Sequence, residues 1–490
     1  MISKIEFNKY NLLLGFLGFI IFLVFPISES NLLASNMFAI AILMAIWWIT
    51  EAIPIAATSL VPLVLIPLFG IDTGKQIAGL YFNSIVFLFV GGFLIAIAME
   101  RWGLHKRIAL SIIDKLGTNP RRIVLGFMLS SFLLSMFISN TATTIMMLPI
   151  GLGIISKLEN DFSKKETRKF SIALMLGIAY SSSVGGTATL IGTAPNLAFK
   201  SIYESMITSD VAITFSNWFI FALPLAVITF IVVKIFILNV FYKPSKKLKL
   251  DKDLIRKELK SLGKFKYEER VVLISLITAS ILWMFRTDIS LGNIVIPGWS
   301  NLLTSGSFID DGTVSIFVAL LLFIIPTKDK KKRRILGVNA IGKMPWNIII
   351  LFGGGFALAH GFESTGLSEL IGSYFINLSN VPHIIIILVI CLLMTFITEL
   401  TSNTATTYTM LPIIASISIS LNINSLEIMI PATIAASYAF MFPVATPPNA
   451  IVFSSNKIKI KDMTRIGFVL NIITVTIAVI YSSLFTTELI

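Results

Sequence analysis

The sequence predicts an all-α membrane protein that crosses the bilayer many times, and three observations support this. Of the 490 residues, 56% are hydrophobic and only 13% are charged, and the mean hydropathy is +0.88. Apolar stretches of about 20 residues, long enough to cross a bilayer, recur along the chain. The third observation is a repeated segment, SNTATTIMMLPI from Ser139 to Ile150 and SNTATTYTMLPI from Ser402 to Ile413.

Apolar segments between polar boundaries predict about 11 transmembrane helices. These lie near 11–28, 36–51, 54–70, 82–100, 170–200, 216–242, 268–286, 312–326, 345–361, 427–455 and 463–485. Two further apolar stretches, 121–155 and 382–418, each carry one SNTATT segment near the middle. Arms of about 17 residues on each side are marginal for a full crossing. We therefore expect two re-entrant hairpins with SNT at mid-membrane, the alternative being tips at the surface.

The basic residues predict the topology. All but four of the 39 Lys and Arg residues fall in the clusters 4–9, 101–122, 157–169, 243–270, 328–343 and 457–465. With a cytoplasmic N-terminus and alternating helices, every cluster lies on the cytoplasmic side and the C-terminus lies outside. The net charge of +13 then reflects topology, so we expect the lipid bilayer as a partner and no nucleic acid.

The repeat extends beyond the SNTATT segments and is predicted to be inverted. FVGGF at 89–93 and FGGGF at 352–356 are separated by the same interval as the two SNTATT segments. GTAPN at 192–196 and ATPPN at 445–449 form a third pair in the same order. The helix at 82–100 runs toward the cytoplasm, whereas its partner, five crossings later, runs the opposite way. Inverted repeats with interrupted helices place substrate near the bilayer midplane in many secondary transporters.

Two predicted helices contain polar interruptions. Ser181 to Thr189 interrupts the helix at 170–200, and Pro443 to Pro448 interrupts the helix at 427–455. Gly and Pro are expected to unwind the backbone there and to free carbonyl and amide groups. Carbonyl and hydroxyl oxygens suit sodium, while the restarting helix N-termini suit an anion. Since no Arg or Lys lies near these elements in the sequence, a bound anion would be balanced by bound cations, and the two would be coupled.

These motifs, together with WWITEAIP from Trp47 to Pro54, resemble the divalent anion/sodium symporter family, which includes the INDY-like dicarboxylate transporters. The resemblance covers nearly the whole chain. It implies a homodimer, in which each protomer has a scaffold and a transport domain that moves like an elevator. It also implies SNT at the tips of re-entrant hairpins.

The pattern of apolar, polar and repeated segments, together with the scaffold that the resemblance implies, predicts the following division of the chain. Residues 1–81 form N-terminal scaffold helices, 82–242 the first repeat core, 243–270 a cytoplasmic amphipathic linker, 271–344 scaffold helices with a cytoplasmic loop, and 345–490 the second repeat core with the last helix.

The resemblance also implies binding residues. One sodium site would use Ser135, Ser139, Asn140 and the carbonyl of Ala188. The other would use Thr398, Thr401, Asn403 and the carbonyl of Ala445. The substrate carboxylates would meet Asn140, Thr141, Asn403 and Thr404, with Thr189, Thr446 and Pro447 lining the pocket.

The function expected from this is sodium-coupled symport of C4-dicarboxylates such as succinate, malate and fumarate, with citrate as a further substrate. Sodium ions are the expected coupling ions, and no organic cofactor is expected. Sodium-independent dicarboxylate exchange and transport of sulfate or another inorganic oxyanion are the alternatives. A membrane-embedded enzyme is a remote alternative, because Ser139 and Ser402 lack a paired base. The compact chain favours a bacterial inner membrane.

Several notable residues lie outside the predicted binding sites. The Gly runs at 91–92 and 353–355 are interpreted as close-packing positions between helices. Glu51 and Glu399 are candidates for function because acidic residues are rare in apolar segments, although Glu399 could equally make a structural hydrogen bond. Cys391, the only cysteine, is interpreted as a packed small side chain.

Overall fold

The apolar stretches of the sequence form helices. The structure is a computed structural model that describes residues 9–117, 119–207, 212–245, 248, 253–291, 294–329 and 332–486. Predicted features that lie partly outside these residues are the basic clusters 4–9, 101–122, 243–270 and 328–343, the amphipathic linker and the C-terminus.

The N-terminal helices and the first repeat occupy the first half of the chain. The N-terminal helices are α1 (Lys9–Val24), α2 (Leu32–Thr50), α3 (Ile55–Thr58), α4 (Val61–Leu68) and α5 (Gly74–Leu80). The first repeat consists of α6 (Ser84–Trp102), α7 (Leu104–Leu116), α8 (Pro120–Ser135), α9 (Asn140–Asp161), α10 (Lys164–Thr187), α11 (Ala194–Met206) and α12 (Phe215–Ile235), which continues as a π-helical segment, Phe236–Phe241.

A connecting region and the second repeat follow. The connecting region consists of α13 (Asp253–Ser261), α14 (Tyr267–Met284), the antiparallel strands β1 (Ile289–Leu291) and β2 (Ile294–Ile296), the 3-10 turns Trp299–Leu302 and Gly306–Phe308, α15 (Asp311–Ile324) and α16 (Asn339–Gly342). The second repeat consists of α17 (Trp346–Ser364), α18 (Leu367–Phe375), the 3-10 turn Ile376–Leu378, α19 (His383–Thr398), α20 (Asn403–Ser420), α21 (Ser425–Ser437), α22 (Pro447–Phe453) and α23 (Ile460–Phe485).

The two repeats contain the same elements in the same order, so that α6 to α12 correspond to α17 to α23. The first bend of each repeat falls at the same kind of residue. Gly103 (φ 73°) separates α6 from α7, and Gly366 (φ 70°) separates α17 from α18. This left-handed conformation is easily adopted only by glycine, which explains why the paired Gly-Leu sequences mark both bends.

Some predicted spans are divided into shorter helices. Among the described residues, six helices are long and apolar enough to cross a membrane, and a bent pair, Trp346–Ser364 with Leu367–Leu378, would be a seventh. Apolar helices of 10–17 residues account for other predicted spans, including Lys9–Val24, Ile55–Leu68 and Asp311–Ile324, while His383–Thr398 is an arm of the predicted hairpin 382–418. The number of about 11 crossings therefore stays a prediction.

The interruption of the helix at 170–200 lies later than the sequence predicts. Ser181 to Thr187 remain helical, and the break covers 188–193. Ser182 donates to the carbonyl of Ile178 at 2.9 Å and Thr187 to that of Val184 at 2.8 Å, so these hydroxyls are satisfied within the helix. Gly185 and Gly186 do not unwind the helix. They allow a close approach to hairpin α8–α9, since a Cβ at Gly185 would lie 2.1 Å from the carbonyl oxygen of Phe132.

The second interruption is longer than predicted. It begins at Tyr438, directly after α21 and before the predicted start at Pro443, and it ends at Thr446, because Pro447 and Pro448 already belong to α22. Pro431, in contrast, lies inside α21 without ending it. Position in the fold therefore decides where these helices break more than the presence of proline does.

The glycine runs are confirmed as close-packing positions. A Cβ at Gly91 would lie 2.1 Å from Ser315 Oγ, and a Cβ at Gly354 would lie 2.6 Å from the carbonyl oxygen of Ser59. Both sites have helices in direct backbone contact, as small residues allow in membranes.

Hydrogen bonds join the two repeats at the core. The Tyr180 hydroxyl donates to the carbonyl of Phe440 at 2.6 Å, and the Thr187 and Tyr438 hydroxyls lie 3.2 Å apart. An ion pair between Lys457, which precedes α23, and Glu159 of α9 at 2.7 Å also joins the two repeats. These contacts hold the broken helices of the two repeats side by side.

Candidate binding cavity

Both SNT segments line one cavity of about 670 Å³. They reach it because α9 and α20 each begin at the Asn of SNT, so each hairpin turns at this point. The two helix breaks and parts of α2, α6 and α17 form the remaining walls. The lining residues are Ile49–Glu51, Ile55, Phe89, Phe93, Ser139–Thr141, Ile191–Ala194, Ile348, Leu400–Thr404, Val444–Pro448 and Ala450.

The first tip is fixed by short polar contacts. The Ser135 hydroxyl donates to Asn140 Oδ1, and Ser139 Oγ accepts from the backbone N–H of Ala142 at 3.2 Å, which caps α9. Gly186 of α10 packs against the Asn140 amide, where an added Cβ would lie 2.4 Å from Oδ1. The Thr189 hydroxyl donates to the carbonyl of Met136 in the turn. The tip is therefore held by the helix end that it faces.

The second tip repeats this arrangement with a difference. The Thr398 hydroxyl lies 2.8 Å from Asn403 Oδ1 and 3.0 Å from the carbonyl oxygen of Ala436. The Thr401 and Thr406 hydroxyls lie 2.6 Å apart. Ser402, unlike Ser139, makes no side-chain cap to its helix. Each Asn oxygen thus contacts a hydroxyl located five residues earlier, at the end of the preceding helix.

The Asn of each Pro-Asn segment holds a broken helix. Asn196 Nδ2 lies 3.2, 3.3 and 2.7 Å from the carbonyl oxygens of Gly186, Thr187 and Thr189 and shares its two N–H groups among them. Asn449 Nδ2 lies 3.0 Å from the carbonyl oxygens of both Ala439 and Phe442. These amides satisfy carbonyls that lose their helical partners at the breaks, which an apolar environment requires. The repetition of Pro-Asn in the sequence marks both residues, but only the fold shows that their amides bind the carbonyls of the breaks.

Glu399 supports the second break from behind. Its carboxylate accepts from the backbone N–H groups of Met441 at 2.8 Å and Phe442 at 3.0 Å, and from Asn471 Nδ2 at 2.7 Å. Glu399 is 2% exposed and does not line the cavity. The structural hydrogen bond that the sequence allowed for this residue is therefore present.

Nine of the predicted binding residues line the cavity and four lie behind it. The lining residues are Ser139, Asn140, Thr141, Thr401, Asn403, Thr404, Ala445, Thr446 and Pro447. Ser135, Ala188, Thr189 and Thr398 are fully buried next to the tips. Ser135 and Thr398 nevertheless contact the amide oxygens of the Asn residues that belong to the same predicted sodium sites. Thr189, predicted to line the pocket, instead holds the first hairpin turn.

The chemistry of the cavity is that of neutral oxygens and helix ends. Among the described lining residues there is no Lys or Arg, and Glu51 is the only charged side chain. The N-termini of α9, α11 and α20 begin at the cavity, where their N–H groups favour an anion. In the described part of the chain, no group of three or more His, Cys, Asp and Glu residues could hold a metal ion.

Sequence reasoning missed the apolar walls of the cavity. Phe89 and Phe93 of α6 and Ile348 of α17 face the tips, and Thr193 joins them from the first break. Phe89 and Phe93 belong to the repeated FVGGF sequence, but nothing in that sequence indicates a pocket.

A family model for the transmembrane region of sodium:sulfate symporters matches residues 4–490. The chain belongs to this family. The resemblance drawn from the SNT motifs to the divalent anion/sodium symporters is thereby confirmed.

The sodium-dependent dicarboxylate transporter SdcS of Staphylococcus saprophyticus is 44% identical over 98% of this chain and 92% of its own length. The protein of the same name from Staphylococcus aureus strain NCTC 8325 is 43% identical over 90% and 84%. As a member of the sodium:sulfate symporter family, the chain is an integral membrane transporter and not an enzyme.

Solved transporter structures share the fold at low sequence identity. The Alcanivorax borkumensis YdaH transporter has a TM-score of 0.53 at 10% identity, covering 84% of this chain and 88% of that chain. Neisseria gonorrhoeae MtrF, described among antimetabolite efflux pumps, has a TM-score of 0.54 at 12% identity, covering 84% and 82%. Both likenesses show that the chain has a helical polytopic fold.

Proposed function

We propose that this protein is a sodium-coupled symporter of C4-dicarboxylates such as succinate, malate and fumarate, with citrate as a further substrate. The observation that carries the proposal is the shared cavity, in which both SNT tips present uncharged oxygens and helix N-termini. The names of the relatives, sodium-dependent dicarboxylate transporters at 43–44% identity, support the same substrate class.

In this proposal the substrate carboxylates are bound by the two tips. One carboxylate meets Asn140 and Thr141, and the other meets Asn403 and Thr404. The first sodium ion is bound by Ser135, Ser139, Asn140 and the Ala188 carbonyl. The second is bound by Thr398, Thr401, Asn403 and the Ala445 carbonyl. The amide, hydroxyl and carbonyl oxygens of these residues are ligands that suit a hard cation.

Coupling follows from the electrostatics of this cavity. A dianion that leaves water needs positive charge nearby, and no cationic side chain lines the described part of the cavity. Sodium ions bound at the same Asn residues supply that charge. Bound sodium therefore raises the affinity for the dianion, and the bound dianion raises the affinity for sodium. Such a mutual effect on affinity is the thermodynamic basis of symport.

Transport would follow an elevator mechanism in a homodimer. The two repeats, related as inverted halves, would bind cargo between their tips and move it past a scaffold formed mainly by α1 to α5, α14 and α15. The hydrogen bonds between α10 and the second break support movement of both tips as one body. The expected setting is a bacterial inner membrane with the N-terminus in the cytoplasm.

The test is uptake of radiolabelled succinate into proteoliposomes with and without an inward sodium gradient. Sodium-stimulated uptake is expected. Succinate–succinate exchange that does not require sodium would instead identify an exchanger, and loss of both activities would contradict the proposal. Competition with sulfate separates the inorganic oxyanion alternative, for which a cavity of about 670 Å³ is large.

A further inference from the structure

Glu51 introduces a negative charge into a cavity that otherwise favours anions. It is the only charged residue among the described residues that line the cavity. It is exposed, and its carboxylate has no hydrogen-bond or ion-pair partner among the described residues. This is unlike Glu399, which is buried and bound by three donors. The charge of Glu51 is therefore free to act on whatever enters the cavity.

The backbone that carries this carboxylate is held in place. Glu51 ends α2 in the left-handed conformation (φ 46°, ψ 40°), and its N–H donates to the carbonyl of Trp47. Trp48 is buried, and its indole N–H lies 3.3 Å from the carbonyl oxygen of Ile55 and 3.2 Å from Ser59 Oγ, across the turn that follows. The backbone is thus held on both sides of Glu51, while the Glu51 side chain makes no hydrogen bond or ion pair with the described residues that would stabilise the fold.

A carboxylate anchored at the wall of the cavity repels a bound anion in proportion to the charge of that anion. For a dianion the repulsion is offset by sodium and by the helix N-termini. A third carboxylate on the substrate adds another unit of repulsion without adding another tip to bind it. Because the cavity is open to water, the effect is moderate and is weakened by salt.

We propose that Glu51 is a charge filter that selects dianionic over trianionic carboxylates at the binding cavity. The inference rests on the proposed function and adds a residue that determines substrate specificity. It predicts that citrate is carried in a protonated, dianionic form, and that removal of the Glu51 charge admits the trianion.

The test compares two inhibitors of sodium-dependent succinate uptake that differ by one carboxylate. Tricarballylate is a trianion, and glutarate has the same carbon chain without the central carboxylate. At about pH 8 all their carboxyl groups are ionised. We expect Glu51→Gln to lower the inhibition constant of tricarballylate relative to that of glutarate by about 5-fold, and added salt to shrink this difference.

Two variants serve as controls. Glu51→Asp keeps the charge and should keep the wild-type ratio of inhibition constants. Glu29→Gln removes an exposed carboxylate that does not line the cavity, and should also leave the ratio unchanged. A structural role for Glu51 would lower uptake in the Gln variant without changing the ratio or its salt dependence.

The outcomes separate this inference from the proposed function. Wild-type protein without sodium-dependent succinate uptake would overturn both. Normal uptake with the same ratio in wild type and Glu51→Gln would overturn the charge filter alone. If Glu51→Gln instead raises the sodium concentration for half-maximal uptake at an unchanged ratio, the residue binds the cation and the filter is wrong.

Discussion

Asn140 and Asn403 occupy equivalent positions, and each amide oxygen contacts a hydroxyl from the helix before its tip. Each residue lines the cavity as the first residue of its second hairpin helix. A single amide at each tip can therefore meet both a cation through its oxygen and an anion through its nitrogen. This dual capacity explains why Asn, rather than a charged residue, suits these positions.

Replacing Asn140 or Asn403 by Ala should reduce sodium-dependent succinate uptake to the level of protein-free liposomes. The physical reason is the loss of the oxygen and nitrogen that contact sodium and substrate in the proposed sites. Asn377→Ala, at an exposed residue away from the cavity, is the matched control and should transport normally. Unchanged sodium dependence in both cavity variants, with folded protein, would contradict the site assignment.

Gly186→Ala should also abolish uptake, although Gly186 does not itself line the cavity. The new Cβ would lie 2.4 Å from Asn140 Oδ1, closer than side-chain atoms can approach, so the amide would be displaced from its site. Gly153→Ala is the control, because a Cβ there meets nothing within 4 Å. Both variants are measured by uptake and by gel filtration in detergent. Normal uptake by Gly186→Ala would show that the Asn140 position is unimportant.

At the scale of elements, the two helix breaks are held by side chains rather than left loose. Asn196 and Asn449 satisfy freed carbonyls, and Glu399 satisfies freed amides. Unpaired backbone groups in an apolar environment each cost about 1–3 kcal/mol, so these contacts are required for a stable break. The irregular backbone of the two breaks is consequently held by hydrogen bonds where it borders the cavity.

Glu399→Ala should lower the free energy of unfolding by about 2–5 kcal/mol, because the Met441 and Phe442 amides lose their acceptor. Glu399→Gln keeps one acceptor oxygen and should be intermediate. The measurement is the thermal unfolding midpoint in detergent, with exposed Glu363→Gln as the control. Equal midpoints for Glu399→Ala and wild type would show that the carboxylate does not support the break.

The positions of these breaks show where sequence reasoning succeeds and where it ends. The duplicated SNTATT and Pro-Asn segments predicted that both hairpins and both broken helices build one site. They did not predict that Ser181 to Thr187 stay helical, because that depends on local bonds such as Ser182 to Ile178. Nor could they place Glu399 behind the break, since its partners Met441 and Asn471 come from distant parts of the chain.

For the whole molecule, the walls of the cavity indicate where it opens. Ile348 lies in the first turn of α17, directly after the basic cluster 328–343, and Glu51 lies at the end of α2. With basic loops in the cytoplasm, both positions lie toward that side of the membrane. We therefore expect a cavity that opens to the cytoplasm in this conformation.

Thiol labelling tests this expectation. In a Cys391→Ser background, Val444→Cys should react with a membrane-impermeant reagent from the cytoplasmic side, because Val444 is 71% exposed and lines the cavity. Sodium with succinate should slow the reaction. Leu302→Cys, at an 85% exposed residue in the loop without basic residues, should react from the opposite side. Labelling of both positions from the same side would contradict the predicted topology.

The contribution of α2 to the cavity could not be derived from the sequence, because WWITEAIP belongs to neither repeat. Its place opposite the tips follows from long-range packing, such as the contact of Trp48 with Tyr408 at 6.3 Å between ring centroids. Sequence reasoning singled out Glu51 as unusual without locating it. The parts of the site built by the repeated SNT and Pro-Asn segments were predictable from the sequence, whereas the wall formed by the end of α2 was not.

The absence of Lys and Arg from the described cavity lining has a consequence for energetics. The two SNT tips carry no charged side chain, so in the proposed mechanism the membrane voltage would act on the cargo and not on the tips. A dianion with two sodium ions would cross without electrical work, whereas one additional sodium ion would gain about 2.3 kcal/mol per 100 mV of inside-negative potential. The number of sodium ions carried with each dianion would therefore decide whether the membrane potential contributes to accumulation or only the sodium concentration gradient does.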